Sequence, residues 1–267
     1  MKLDYINGNK FLDMAHFAID FDHRDLTMDL YKQNAIVYCK TDFLDLFFDW
    51  IKLSRRKYIL ISHMSDYPIN AERFSRAPDT IVKWFAQNAI FQSEKLVPVP
   101  LGLENHKGRS KGKFTNHEWF TQNVPRLIMK ARDPQWIYCN WNPNTNQEAR
   151  GNIIPQLEKN GLKVHHETGL SFEDYCENMS SYKFVICPPG NGVDTHRLWE
   201  ALYMGCIPIV LRHHIYDGYK LPIIQVNSWS EVTYDLIMPI LEAKFTAEHM
   251  MFTYWKNRIK HEFKQLN

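Results

Sequence analysis

The chain has 267 residues, 45% hydrophobic and 23% charged, with a formal net charge of +2. That length suits one large or two small α/β domains with proper cores, and the near-neutral balance gives no case for nucleic-acid binding. No run approaches the roughly eighteen apolar residues of a membrane span, and the opening MKLDYINGNK lacks a signal-peptide core, so a soluble, cytoplasmic chain is expected.

The first thirty residues are acidic and mixed. Asp20-Phe21-Asp22 has the Asp-x-Asp form of a metal–diphosphate ligand, but it stands before any clear sheet, and a solvated turn is the simpler reading. Ala35–Lys40 (AIVYCK) reads as the first firm strand. Asp42–Leu53 follows as an amphipathic helix with Phe43, Leu46, Phe47 and Trp50 on one side. Lys57–Ser62 (KYILIS) is a second strand, running directly into His63-Met64-Ser65-Asp66; polar residues just past a strand's C-terminal end are well placed for chemistry. Ile81–Ile90 is apolar, and Leu96–Leu103, interrupted by Pro98, Pro100 and Gly102, is an edge strand or an ordered loop. The basic run Lys107–Lys113 (KGRSKGK) lacks the spacing of a phosphate loop and reads as an exposed loop. Helix signals cover Asn116–Ala131, and a domain boundary falls near Asn123–Pro134.

Beyond that point strands and helices alternate. Strand Gln135–Asn140 leads to a helix from Asn146, where Thr145 and Glu148 form a capping box and Pro155 predicts a kink or restart near Asn152. Strand Lys163–His166, helix Ser171–Ser181, strands at Lys183–Cys187, Ile207–Leu211 and Pro222–Val226, helix Ser230–Lys244 and an aromatic, basic helix at about 247–266 complete the series. Such alternation implies a doubly wound parallel sheet. The five cysteines (Cys39, Cys139, Cys176, Cys187, Cys206) are odd in number and lack metal-type spacing, so they read as reduced core thiols. Asn178-Met179-Ser180, formally a glycosylation sequon, carries little weight without a secretion signal.

The most informative stretch is Lys183–Leu211, KFVICPPGNGVDTHRLWEALYMGCIPIVL. It reads as strand, Gly/Pro turn, helix and strand, the helix capped by Asp194 or Thr195 and ending near Gly205. Leu198, Ala201, Leu202 and Gly205 share one helix face; Arg197, Glu200 and Met204 share a second, clear of the first. A cation, a carboxylate and a helix N-terminus would then overlook the C-terminal edge of a sheet, where open α/β folds bind ligands and where phosphate is favoured. The plainer alternative is a surface ion pair between Arg197 and Glu200.

The pattern F-x-x-C-P-P-G-x-G-x-D-T-x-R-x-W-E-A-x-x-x-G-C-I-P-I-V resembles the donor-binding segment of the exostosin-like glycosyltransferases (glycosyltransferase family 47). The segment IYCNWNPNTNQEAR is similar to that family's other donor-side motif. Looser likenesses, S-H-M-S-D, W-F-A-Q-N-A and V-P-L-G-L-E-N, resemble the acceptor-side motifs of these enzymes and of their small soluble relatives in large DNA viruses. The resemblance implies an α/β fold of GT-B type, two Rossmann-like parallel-sheet domains facing across a cleft. Residues 1–125 would form the acceptor side and residues 126–267 the donor side, with the terminal helix packing back on the first domain. It also implies an inverting, metal-independent transfer of a sugar from a UDP-sugar to a hydroxyl of a glycan acceptor, with no further cofactor; a pentose donor such as UDP-xylose is permitted. Animal and plant members are usually anchored in the Golgi membrane, so a chain without such an anchor suggests a viral or bacterial source. Oligomeric state, donor sugar and acceptor are not legible.

Carried onto this sequence, the donor residues are Asn140, Asn146 and Arg150, the turn Pro189-Gly190-Asn191-Gly192, and Asp194, Thr195, His196, Arg197 and Glu200. Arg150 and Arg197 would meet the diphosphate and Glu200 the ribose hydroxyls. Inverting transfer also needs a base for the acceptor hydroxyl. Asp66 is the expected base and His63 the second choice, although Asp66 reads equally as a turn or cap residue before Pro68. A non-catalytic nucleotide- or sugar-binding module of the same fold is the alternative. A dinucleotide-dependent oxidoreductase would need Gly-x-Gly-x-x-Gly, but Thr195 stands where the third glycine belongs and Pro188-Pro189 crowd the turn. Gly-x-Ser-x-Gly occurs at 108–112, but inside the basic run that reads as an exposed loop rather than at the end of a strand, which disfavours a hydrolase.

Overall fold

The computed structural model describes residues 4–22, 28–105, 116–243 and 246–266. The basic run at 107–113 lies outside them. The chain divides into two compact units, Met1–Leu101 with Met251–Asn267 and Gly102–Met250. Each holds one five-stranded sheet, and every strand pairing in both is parallel. The expected α/β class is thus found twice.

The first unit runs α1 (Gly8–Asp13), β1 (Phe17–Ile19), β2 (Ala35–Lys40), α2 (Leu44–Ile51), β3 (Tyr58–His63), α3 (Ala71–Ser75), β4 (Ile81–Ala86) and β5 (Leu96–Pro98). Its strands lie in the order β1-β2-β3-β4-β5, never reversing. Central β2 and β3 are buried almost throughout, which is why their sequences are near-continuous apolar runs rather than alternating ones. On α2 the buried stripe is Leu44, Phe47, Phe48 and Ile51, whereas Leu46 is exposed. The expected face was rotated because Thr41–Phe43 form a 3₁₀ turn, whose tighter winding resets the phase of the helix that follows. The C-terminal helix, Phe252–Lys264, belongs to this unit: the Phe252 amide donates to the Asp4 carbonyl at 2.9 Å, and Phe252 meets Phe11 edge-on at 5.2 Å.

Two elements here escape the sequence reading. A six-residue helix, α1, is capped by Asn7, whose side chain accepts from the Lys10 amide at 3.0 Å, and three residues of β1 pair with β2. Asp20 therefore follows a strand after all. Its Oδ1 accepts the Asp22 amide at 2.9 Å, an Asx turn, and Phe21 and Asp22 are exposed, as in a solvated turn.

The second unit runs α4 (Asn116–Leu127), β6 (Asp133–Cys139), α5 (Gln147–Arg150), α6 (Ile153–Lys159), β7 (Lys163–His166), α7 (Phe172–Met179), β8 (Tyr182–Ile186), α8 (His196–Tyr203), β9 (Ile207–Leu211), β10 (Ile224–Val226) and α9 (Tyr234–Ile237). The sheet order is β10-β9-β8-β6-β7, so successive connections leave β6 in opposite directions. A switch of that kind opens a crevice at the C-terminal ends of β6 and β8. The expected restart at Asn152 occurs, with Pro155 in the first turn of α6 where its missing N–H does no harm. The cap of α5 is Asn146, not Thr145: Asn146 Oδ1 accepts the Ala149 amide at 3.1 Å, while Thr145 closes a preceding 3₁₀ turn. The expected helix at 230–244 is broken into 3₁₀ turns around α9, because Thr233 recaps the chain and Pro239 cannot donate. All five cysteines are buried and unbridged.

Candidate donor-binding site

β6 and β8 both end in loops at the switch point, and the side chains of α5 and α8 reach into it. The loop after β8 turns at Gly190-Asn191-Gly192, closed by a 2.9 Å bond from the Gly190 amide to the Gly192 carbonyl. Arg150, at the end of α5, crosses to this loop. Its Nε donates to the Pro189 carbonyl at 2.8 Å, and an Nη donates to the Asn142 carbonyl, after β6, at 2.9 Å. Asn146 Nδ2 adds a bond to the Gly190 carbonyl at 2.9 Å. Gly190 lets the network close tightly: an added Cβ would lie 3.0 Å from an Arg150 nitrogen, so the guanidinium would have to shift. Asn146, Arg150, Pro189 and Gly190 thus form one network joining the two loops. Asn140 stands at its edge, its amide 3.4 Å from the Tyr138 hydroxyl.

Helix α8 begins next to this turn. Thr195 occupies the cap position in extended conformation without a side-chain capping bond. Asp194 does not cap either: it is buried, and both of its oxygens accept from Trp199 Nε1 at 2.9 Å. The first amides of α8 therefore keep their partial positive charge without a side-chain acceptor. His196 Nδ1 donates to the Gly102 carbonyl at 2.7 Å, which fixes the ring and turns Nε2 outward. Gly102 comes from the V-P-L-G-L-E-N stretch, which reads in sequence as acceptor-side; its carbonyl serves the second unit.

The second face of α8 is covered as well as the first. Every residue from Leu198 to Met204 is buried, Glu200 at 6% exposure and Met204 at 0%. Arg197 and Glu200 are not a surface ion pair. Glu200 Oε2 accepts from the Tyr175 hydroxyl on α7 at 2.8 Å, a partner the sequence did not reveal. Burial pushes the Glu200 carboxyl upward, and the charges of His196 and Arg197 and the Tyr175 bond pull it back. Half-buried Arg197 makes no hydrogen bond or ion pair among the described residues, and its Nε is fully enclosed without an acceptor. Its charge is felt by Arg150, whose guanidinium is lowered to about 10, first by burial and then by Arg197. Arg150 and Arg197 thus lie near one another at the start of α8, and neither forms an ion pair among the described residues, an arrangement that suits a di-anion.

Residues 110–239 match the Exostosin GT47 domain. This domain falls within the second unit and includes the whole network from Asn140 to Glu200. Two Arabidopsis thaliana proteins, each described as a probable glycosyltransferase, are similar to part of this chain. One is 40% identical over 90 residues, 32% of this chain and 18% of its own length; the other is 38% identical over 72 residues, 26% and 12% respectively. The matched stretch covers less than a fifth of either relative.

The residues considered for the base lie outside the exostosin domain, in the first unit. Asp66 is exposed in the turn after β3. His63 is wholly buried: its Nε2 donates to the Pro100 carbonyl at 2.9 Å, and its Nδ1 accepts the Met64 amide at 2.8 Å. Met64 has φ 59°, and its amide is shared with Gln87 Oε1 at 2.9 Å, while Gln87 Nε2 donates to the Ser65 carbonyl at 3.0 Å. The Met64–Ser65 turn leading to Asp66 is therefore held from both sides. Among the described residues no helix is long and apolar enough to cross a membrane.

Proposed function

We propose that this chain is an inverting glycosyltransferase that takes a sugar from a UDP-sugar and places it on a hydroxyl of a glycan acceptor without a metal ion. The observation that carries the reading is Arg197, a guanidinium with an enclosed, unpaired Nε, set beside buried Arg150 at the start of α8. Departure of a nucleoside diphosphate demands stabilisation of the charge developing on its bridging oxygen, and preorganised cations and amides supply that without reorganisation. Arg150, Arg197 and the α8 amides take this role in place of a divalent ion. Glu200 accepts from the ribose, and His196 Nε2 faces the same ligand. Asp66 takes the proton of the attacking hydroxyl. His63, with both ring nitrogens engaged, serves better to hold the turn than to shuttle protons. A UDP-pentose such as UDP-xylose is the first donor to try, since a missing hydroxymethyl group is read by pocket shape.

The test is release of UDP from a panel of UDP-sugars in EDTA with a mixed glycan acceptor, followed by NMR of the product. Release from one donor, with inverted anomeric configuration, supports the reading; Asp66→Asn abolishes it and leaves UDP affinity intact. Binding of UDP without turnover of any donor would make the chain a nucleotide-binding module. Turnover that stops in EDTA would contradict the metal-independent part, and selective binding of nicotinamide dinucleotides would replace the reading altogether.

A further inference from the structure

Tyr175 lies 25 residues before Glu200, on a different helix, and no local motif joins them. Ser171 caps α7 by accepting the Asp174 amide at 3.1 Å, and the Tyr175 ring packs against Phe172 at 6.0 Å and Tyr138 at 6.3 Å. The phenol is buried at 9% exposure, and burial drives its ionisation far upward, so it stays a donor. Its hydroxyl engages Glu200 Oε2 alone; Oε1 has no donor among the described residues. The phenol thus restrains one oxygen of the carboxylate and leaves the other to receive a further donor.

We propose that Tyr175 is a positioning residue that gives the donor site its preference for ribose over deoxyribose, by fixing Glu200 so that Oε1 receives the sugar hydroxyls. This rests on the donor-site reading above. A ligand lacking a hydroxyl leaves a buried acceptor unpaired, and that unpaired group, rather than any clash, rejects it. Without the phenol hydroxyl, Glu200 turns to other partners and the rejection fades. Tyr175 touches no ligand itself.

The experiment is calorimetric binding of UDP and of 2′-deoxy-UDP to the full chain, for the wild type, Tyr175→Phe, Glu200→Gln and the double variant. The wild type is expected to prefer UDP by roughly 30-fold. Tyr175→Phe should cut that to about threefold by weakening UDP while leaving 2′-deoxy-UDP unchanged, a split that mere loosening of the fold would not produce. In Glu200→Gln the preference is gone, and adding Tyr175→Phe changes nothing further. A Tyr175→Phe protein that keeps the wild-type preference overturns the inference while leaving the donor site standing. A wild type that binds UDP and 2′-deoxy-UDP alike overturns both the ribose role of Glu200 and this inference.

Discussion

The C-terminal edges of the two sheets are built from similar residue types and treat them in opposite ways. In the first unit the polar groups past β3 and β4 satisfy one another: His63 uses both ring nitrogens, Gln87 clamps the Met64–Ser65 turn, and Lys40 pairs with Asp42. In the second unit the groups past β6 and β8 are left in surplus. Among the described residues Arg197 has no hydrogen-bond or ion-pair partner, Arg150 lies beside a like charge, and Glu200 has one oxygen engaged. Topology runs parallel to this difference, since the first sheet never reverses its strand order and the second does so between β6 and β8. A self-satisfied edge gives a rigid scaffold. An edge with unmatched charge is built around a ligand, at some cost to the stability of the protein alone.

The sharpest way to break this contrast is to separate the two arginines. Arg150→Ala removes two charged bonds that tie together the loops after β6 and β8, so it should destabilise the second unit by about 3 kcal/mol in urea denaturation. Arg197→Ala removes no bond and should change stability by less than about 0.5 kcal/mol. Equal losses in both would mean that Arg197 is structural. In the first unit, Gln87→Leu breaks the clamp on both sides of the turn and should cost about 2 kcal/mol by the same measurement, with UDP affinity unchanged. Weaker UDP binding in that variant would show that the two edges are not separable as described.

A smaller effect concerns the brace between α4 and α7. Glu177 receives Arg126 and Lys130, the latter at 2.5 Å, and these bonds lower its carboxyl to about 2. The folded state thus releases this proton more readily than the unfolded chain does. The stabilisation is complete above the ordinary glutamate range and disappears as pH falls from about 4.5 to about 2. Because the side chain is one-third exposed, solvent screening limits the effect to about 1 kcal/mol. Glu177→Gln should flatten the acid limb of the melting profile by that amount, and an unchanged limb would assign it to other carboxylates.

Much of this was legible because the governing patterns are local. β2, β8 and β9 carry buried apolar runs with β-branched residues between turn residues, Gly205 ends α8 at φ 80°, and Pro155 forces the break before α6. The three residues of β1 and the six of α1 are too short to show a period, and they exist because β2 and Asn7 hold them. In the site, Arg150, Arg197 and Glu200 stood out by their place in long motifs. What stayed hidden was which partners they had. Tyr175 meets Glu200, the Asn142 carbonyl meets Arg150 and the Gly102 carbonyl meets neighbouring His196 only through tertiary packing, and no spacing along the chain encodes a carbonyl's direction. The plainer alternative, a surface ion pair between Arg197 and Glu200, fails for the same reason: helical period assigns residues to faces and does not say how many faces are covered.

The central claim is that the unmatched cations of the second unit bind a diphosphate. Its most direct test is calorimetric titration of UDP and of uridine into the wild type and Arg197→Ala. The account predicts that UDP binds the wild type about a hundredfold more tightly than uridine, and that Arg197→Ala loses most of that margin while binding uridine as before. Equal affinity for UDP and uridine, or a UDP affinity untouched by Arg197→Ala, would contradict it.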